Sequence, residues 1–83
     1  MPFEIERIHF EKRGEHDTGG KILHIVTLTV GNQVTLRSRK KPQFKTTLYK
    51  WQSALVPACM GEYELINDAE GLCTVVIHRW KKG

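Results

Sequence analysis

Six cations and no acid occupy residues 37–50: Arg37, Arg39, Lys40, Lys41, Lys45 and Lys50. Three more, Arg79, Lys81 and Lys82, surround Trp80 near the end of the chain. The whole chain carries only +4, so the positive charge is concentrated. Ammonium and guanidinium groups at this density bind polyanions, and aromatic rings beside them can stack on bases, worth about 1–3 kcal/mol each. Tyr49 adjoins Lys50, Trp80 lies between Arg79 and Lys81, and Phe44 lies between Lys41 and Lys45. The chemistry expected of such a surface is sequence-independent, salt-sensitive phosphate contact. Single-stranded nucleic acid, DNA or RNA, is the expected partner. Arg37, Arg39, Lys40, Lys41, Lys45, Lys50, Arg79 and Lys81 are the phosphate ligands, with Tyr49 and Trp80 as stacking residues. A solvated basic edge that keeps a strand soluble is the competing explanation.

A second class is a small interaction module, an inhibitor or adaptor of phage or mobile-element type, docking through its charged faces. Residues 51–70 favour it, because Glu62, Glu64, Asp68 and Glu70 stand there without a single Lys or Arg. That run would repel a polyanion nearby.

Other chemistries find less footing. His9, His24, His78, Cys59 and Cys73 show neither a C-x₂₋₄-C nor an H-x₃₋₅-H pair, so no metal or cofactor is expected. His24 on an apolar strand face reads as a hydrogen-bonded core residue, and both thiols read as free and buried. The acids at 4, 6 and 11, or Glu62 and Glu64, alternate as a solvated strand face does. No Ser-His-Asp arrangement, phosphate loop or activated-cysteine context accompanies them, and enzymatic activity is not expected.

Eighty-three residues, 40% hydrophobic, make one domain spanning 1–83 with a single small core. No apolar run approaches the roughly 20 residues of a spanning helix, and Met1-Pro2-Phe3-Glu4 is unlike a secretory signal. A cytoplasmic protein without a membrane partner is the expectation.

The elements that would position these residues are mainly β. Phe3–Lys12 reads as a strand whose alternation slips near Glu6-Arg7, predicting a bulge or bend. Arg13–Gly20 is polar and reads as a loop. Lys21–Val30 and Val34–Arg39 alternate well. A three-residue turn at Gly31-Asn32-Gln33 would pair Val30 with Val34 and Leu28 with Leu36, keeping one face apolar and turning Arg37 and Arg39 outward together. Thr46–Val56 fits a short helix with Leu48, Trp51 and Leu55 on one buried face, ended by Pro57; a strand over Phe44–Trp51 is the rival. Gly61–Ile66 and Leu72–Trp80 read as a second hairpin, with Tyr63, Leu65, Cys73, Val75 and Ile77 inward.

The resulting order is that of a five-stranded OB-like barrel with one short helix between strands 3 and 4. In organisation and size it resembles small phage-type single-stranded DNA-binding proteins, which implies a nucleic-acid platform on strands 2 and 3. Leu72, Val76 and Trp80 give the last strand a second apolar face, which predicts a homodimer.

Overall fold

The structure, a computed structural model, describes residues 3–20 and 22–80, with Phe3 and Trp80 described by their backbone alone. Eight strands follow in order: β1 Phe3–Phe10, β2 Arg13–Asp17, β3 His24–Val30, β4 Gln33–Ser38, β5 Lys45–Tyr49, β6 Ser53–Val56, β7 Glu62–Asn67 and β8 Cys73–Trp80. A 3₁₀ turn, Ala58–Met60, precedes β7. The strands form two antiparallel sheets ordered β1-β8-β3-β6 and β2-β7-β4-β5. Apart from β4 and β5, successive strands lie in opposite sheets, the connectivity of a jelly roll. The five-stranded OB-like barrel is therefore corrected to an open eight-stranded sandwich, in which β1, β6, β2 and β5 are sheet edges.

Each departure has a physical reason. Val26 and Leu28 of β3 and Val34 and Leu36 of β4 are all buried, as their alternation requires. They face one another across the core, however, and not along one sheet. β3 pairs with β6 and β8, while β4 pairs with β5 and β7. Alternation reports which side of a strand is inside, not which strand lies beside it. The same holds for β7 and β8: Tyr63, Leu65, Cys73, Val75 and Ile77 are buried as expected, but the two strands belong to different sheets.

The expected helix over Thr46–Val56 is two strands, and the rival strand reading holds for its first half. Leu48 is buried, whereas Trp51 and Leu55 are exposed, so their spacing marks no common face. The polar stretch Arg13–Gly20 also contains a strand. Its inward positions are Gly14 and His16, which leave no apolar stripe to read. A Cβ at Gly14 would lie 3.0 Å from the Phe10 ring, so a larger residue there would need the ring to shift.

β1 does not change face. Its register with β8 runs unbroken from Phe3 to Phe10. The apparent slip arises because Glu4 and Glu6 share the inward side with Ile8 and Phe10, opposite Arg79 and Ile77. Within the core, twelve buried apolar side chains from both sheets interdigitate, each contributing about 1.5–3 kcal/mol for those of Val size and above. Cys73 belongs to this core, and burial pushes its thiol pKa up. Cys59 is exposed, correcting the expectation for that thiol. Val76 is half-buried on the outer face between Arg7 and Thr27, and Leu72 is exposed ahead of β8. No helix among the described residues is long and apolar enough to cross a membrane.

Candidate functional site

The two long sides of the sandwich differ. Edge strands β1 and β2 are joined by a polar cluster. Arg79 of β8 donates through Nε to Glu4 (2.8 Å) and through Nη2 to Glu6 (2.8 Å). These bonds, the one to Glu4 foremost, raise the guanidinium pKa further. His16 of β2 places Nε2 3.3 Å from Glu6 Oε1. The Asp17 N–H donates to His16 Nδ1 (2.8 Å), and Arg79 Nη1 lies 3.4 Å from His16 Nε2. Burial opposes ionisation of Glu6, but His16 and Arg79 outweigh it and hold its pKa low. Beneath them His24 Nδ1 lies 2.8 Å from the Tyr63 hydroxyl. His24 is the hydrogen-bonded core histidine expected of it, and burial lowers its pKa. Among the described residues no group of three His, Cys, Asp or Glu is arranged to hold a metal ion. Every buried side-chain polar atom described has a partner.

The opposite side is open. β5 and β6 are joined by a tight turn, Tyr49–Gln52, closed by the Gln52 N–H donating to the Tyr49 carbonyl (2.9 Å). The turn is tied to β3, since Trp51 N–H donates to Leu28 O (2.7 Å) and Leu28 N–H donates to Gln52 O (3.2 Å). Away from it the two edge strands diverge, each held by its own sheet. Leu48, close to the turn, is buried, while Thr46, the next inward position of β5, is exposed. A wedge opens between them. One depression of about 320 Å³ is bounded by Ser38, Lys40, Lys41, Phe44, Pro57, Cys59 and Met60. An adjoining one of about 220 Å³ is bounded by Leu36, Lys45, Thr46 and Leu55, and shares Phe44 and Met60.

Two backbone clamps hold the walls. In the β4–β5 loop, Ser38 N–H donates to Phe44 O (3.0 Å) and Phe44 N–H to Lys41 O (2.8 Å), while Lys41 N–H donates to Ser38 Oγ (3.2 Å). This fixes Lys40, Lys41 and Phe44 at the mouth. On the other wall, Thr18 is buried and its hydroxyl donates to Ala58 O (2.6 Å) while accepting from Gly61 N–H (3.0 Å). That pins the 3₁₀ turn carrying Cys59 and Met60. The Lys40 ammonium reaches this wall beside Gly61, where a Cβ would lie 3.7 Å from it. Lys41 Nζ sits 5.8 Å from the Phe44 ring centroid.

The residues expected to form one cationic platform are thus dispersed. Arg37 donates through Nε to Glu64 Oε1 (2.7 Å), and Arg13 lies 3.6 Å from the same carboxylate. The Arg37 bond leads the effects that lower the Glu64 pKa. Arg39 pairs with Glu15 (2.5 Å) and lies 3.8 Å from Glu62. Arg79 is turned into the sandwich. Lys50 lies over the exposed Trp51 ring (6.0 Å), and Tyr49 is exposed beside it, at the far end of β5 from the mouth. Lys81 and the Trp80 side chain lie outside the described residues. Lys40, Lys41 and Lys45 remain together at the wedge, and no ion pair engages them among the described residues. Met60, Cys59, Leu36 and Leu55 were not foreseen as site residues; nothing in their spacing marks them, because two chain crossings bring them together.

No protein-family model and no curated protein matches the sequence. Solved structures do match in fold. Protein NMB1881 from Neisseria meningitidis superposes with a TM-score of 0.72 at 15% identity, over 95% of this chain and 74% of that one. A cupin-2 domain containing protein from Shewanella frigidimarina gives 0.65 at 12% identity, over 92% and 68%. A sugar phosphate isomerase from a cupin superfamily, from Silicibacter pomeroyi, gives 0.64 at 11%, over 96% and 51%. The chain thus has a cupin-like β fold. Together with the ion-paired Arg37 and Arg39, this fold overturns the OB-type platform and the reading of a single-stranded nucleic-acid-binding protein.

Proposed function

We propose that this domain binds a small amphiphilic anion in the wedge between β5 and β6, without turning it over. The carrying observation is the contrast among its cations: Arg13, Arg37, Arg39 and Arg79 are engaged by the chain's own carboxylates, whereas Lys40, Lys41 and Lys45 surround a partly apolar depression with no acid in its walls. Phe44 and Met60 would take an aromatic or aliphatic body, and the ammonium groups its carboxylate or phosphate. A volume of about 320 Å³ stands near the lower end of ligand pockets, on the order of 300–1,000 Å³, and suits a compact molecule. One structural neighbour bears the name of a sugar phosphate isomerase, whose titular substrate is a small phosphorylated molecule; the lysines here suit the same charge. The walls offer no carboxylate–imidazole pair among the described residues, which supports recognition over catalysis.

The test is a heteronuclear NMR titration with 4-phenylbutyrate, phenyl phosphate and the neutral 4-phenylbutan-1-ol. The anions should shift amides of residues 38–46 and 57–61, and the alcohol should bind at least several-fold more weakly. Equal affinity for the alcohol, or shifts centred on another part of the fold, would remove the proposal.

A further inference from the structure

The β5–β6 turn contains a conformational anomaly. Among the described residues Trp51 is the one non-glycine with positive φ, at +70°. It occupies the third position of a four-residue turn, the place where a type II turn demands φ > 0 and ordinarily carries glycine or asparagine. An L side chain there is strained, and a bulky one most of all. Burial does not offset the strain, because the Trp51 side chain is 70% exposed. The paired bonds to Leu28 hold the backbone in this shape, which any glycine would adopt more readily. The fold therefore displays an indole to solvent against the local preference of the chain. Strain maintained in this way points toward use.

What stands beside it narrows the partner. Tyr49 is exposed in the same turn, and Lys50 hovers over the indole. Lys50 has no ion-pair partner among the described residues. No acid occurs anywhere from residue 38 to residue 61. Asp68 and Glu70 sit at this end of the sandwich in the β7–β8 loop, but β4 separates β7 from β5, and Asp68 is engaged by the Thr35 hydroxyl (2.5 Å). All five residues Tyr49–Ser53 are exposed, so the turn is a projecting tip and not a concave socket. Tryptophan and tyrosine at a convex tip, with the Lys50 ammonium over the indole, match the headgroup layer of an anionic bilayer: the rings settle at the interface and the ammonium gains from the surface potential.

We infer that the Tyr49–Gln52 turn is a peripheral anchor for anionic lipid surfaces, with Trp51 as its inserted residue and Lys50 as its electrostatic contact. This stands independently of the wedge ligand. Co-sedimentation compares phosphatidylcholine vesicles with vesicles containing about one third phosphatidylserine. The wild-type chain should partition several-fold more strongly onto the anionic vesicles, and high salt should erase the difference. Lys50→Ala should lower partitioning about five-fold, near the worth of one surface cation. In a Trp80→Phe background the emission of Trp51 should shift to the blue when anionic vesicles are added.

Trp51→Gly is the decisive variant, since strain relief and loss of the anchor have opposite signs. Its urea midpoint should rise while vesicle binding falls at least five-fold. Equal binding by Trp51→Gly, a lowered urea midpoint, indifference to phosphatidylserine, or unshifted Trp51 emission would each overturn the inference. So would a dimer in solution that Trp51→Gly dissociates, which would assign the anchor to a second copy of the chain.

Discussion

His24 of β3 and Tyr63 of β7 meet across the sandwich, with Nδ1 2.8 Å from the hydroxyl, in a core that is otherwise almost entirely apolar. Both side chains are fully buried, and each satisfies the polar atom of the other. Burial raises the Tyr63 pKa, so its hydroxyl keeps its proton throughout the working range. Tyr63→Phe removes one partner and leaves the imidazole nitrogen unpaired. The expected loss is about 1–3 kcal/mol, read from the urea unfolding midpoint. A variant as stable as the wild type would show that the pair contributes nothing to the fold.

The same histidine makes stability depend on pH. Its folded pKa lies below its unfolded value, about 6.5, so below that pH the unfolded chain binds more protons than the folded one. Stability should therefore fall as pH drops from 7 through the region beneath 6.5. His24→Asn, which retains a hydrogen-bonding group for Tyr63, should flatten that slope. Equilibrium unfolding at pH 7, 6 and 5 checks it; parallel curves for variant and wild type would reject the assignment.

Glu64 is a buried carboxylate on the outer side of its sheet, covered by Arg37 and approached by Arg13. Its pKa is depressed, so its contribution is present above about pH 4.3 and disappears as pH falls through the folded value. Arg37→Ala should cost about 1–3 kcal/mol at pH 7 by stranding this group, and less as pH falls through the carboxyl's depressed folded value and the group becomes protonated. Arg39→Ala removes a bridge to the exposed Glu15 and should cost below about 1 kcal/mol. Equal losses for the two variants at pH 7 would contradict the difference in burial.

Much of this architecture was legible, and what was hidden has identifiable causes. Inward positions were read correctly at Val26, Leu28, Val34 and Leu36 and from Tyr63 to Ile77, because a period of two is written into each strand, but Val30, expected on the same apolar face, is exposed where β3 shifts register beside β8. Sheet partners were not, since β3 and β4 satisfy one another equally well across a core. Arg79 concealed the face of β1: its bonds to Glu4 and Glu6 bring acids inside, where alternation expects hydrocarbon. Counting Arg37 and Arg39 as free cations failed because Glu64, Glu62 and Glu15 are distant in sequence and adjacent in the sheet. Lys40, Lys41 and Lys45 were singled out from sequence, but the apolar wall they border needs Met60 and Leu36, which nothing linear connects to them.

If the wedge binds ligand, filling it should abolish binding without harming the fold. Met60 lines both depressions and is only partly buried. Met60→Trp should block 4-phenylbutyrate while leaving the urea midpoint within about 1 kcal/mol of wild type, since the added volume enters open space. Phe44→Ala, at an exposed loop position, should weaken binding several-fold with similarly little effect on stability. Undiminished affinity in Met60→Trp would place the ligand elsewhere.

Gly31 and Gly71 offer a controlled comparison of two glycine requirements. Both have positive φ, +115° and +96°, so a side chain at either is strained by the backbone alone. They differ in what a Cβ would meet. At Gly71 nothing lies within 4 Å, whereas at Gly31 the Cβ would fall 2.6 Å from the buried Cys73 sulfur. Gly71→Ala should cost about 1–2 kcal/mol, the backbone term. Gly31→Ala carries that term and an overlap with the core besides, so it should lose clearly more, by about 1–3 kcal/mol. Cys73→Ala removes the obstructing sulfur. Introduced alone it opens a small cavity and destabilises, but in the Gly31→Ala background its penalty should shrink or change sign, because the new methyl occupies part of the vacated volume. A double-mutant cycle on urea midpoints reads this coupling. Strict additivity would show that the close approach of the β3–β4 turn to β8 does not constrain the fold, and that backbone conformation alone explains the glycine.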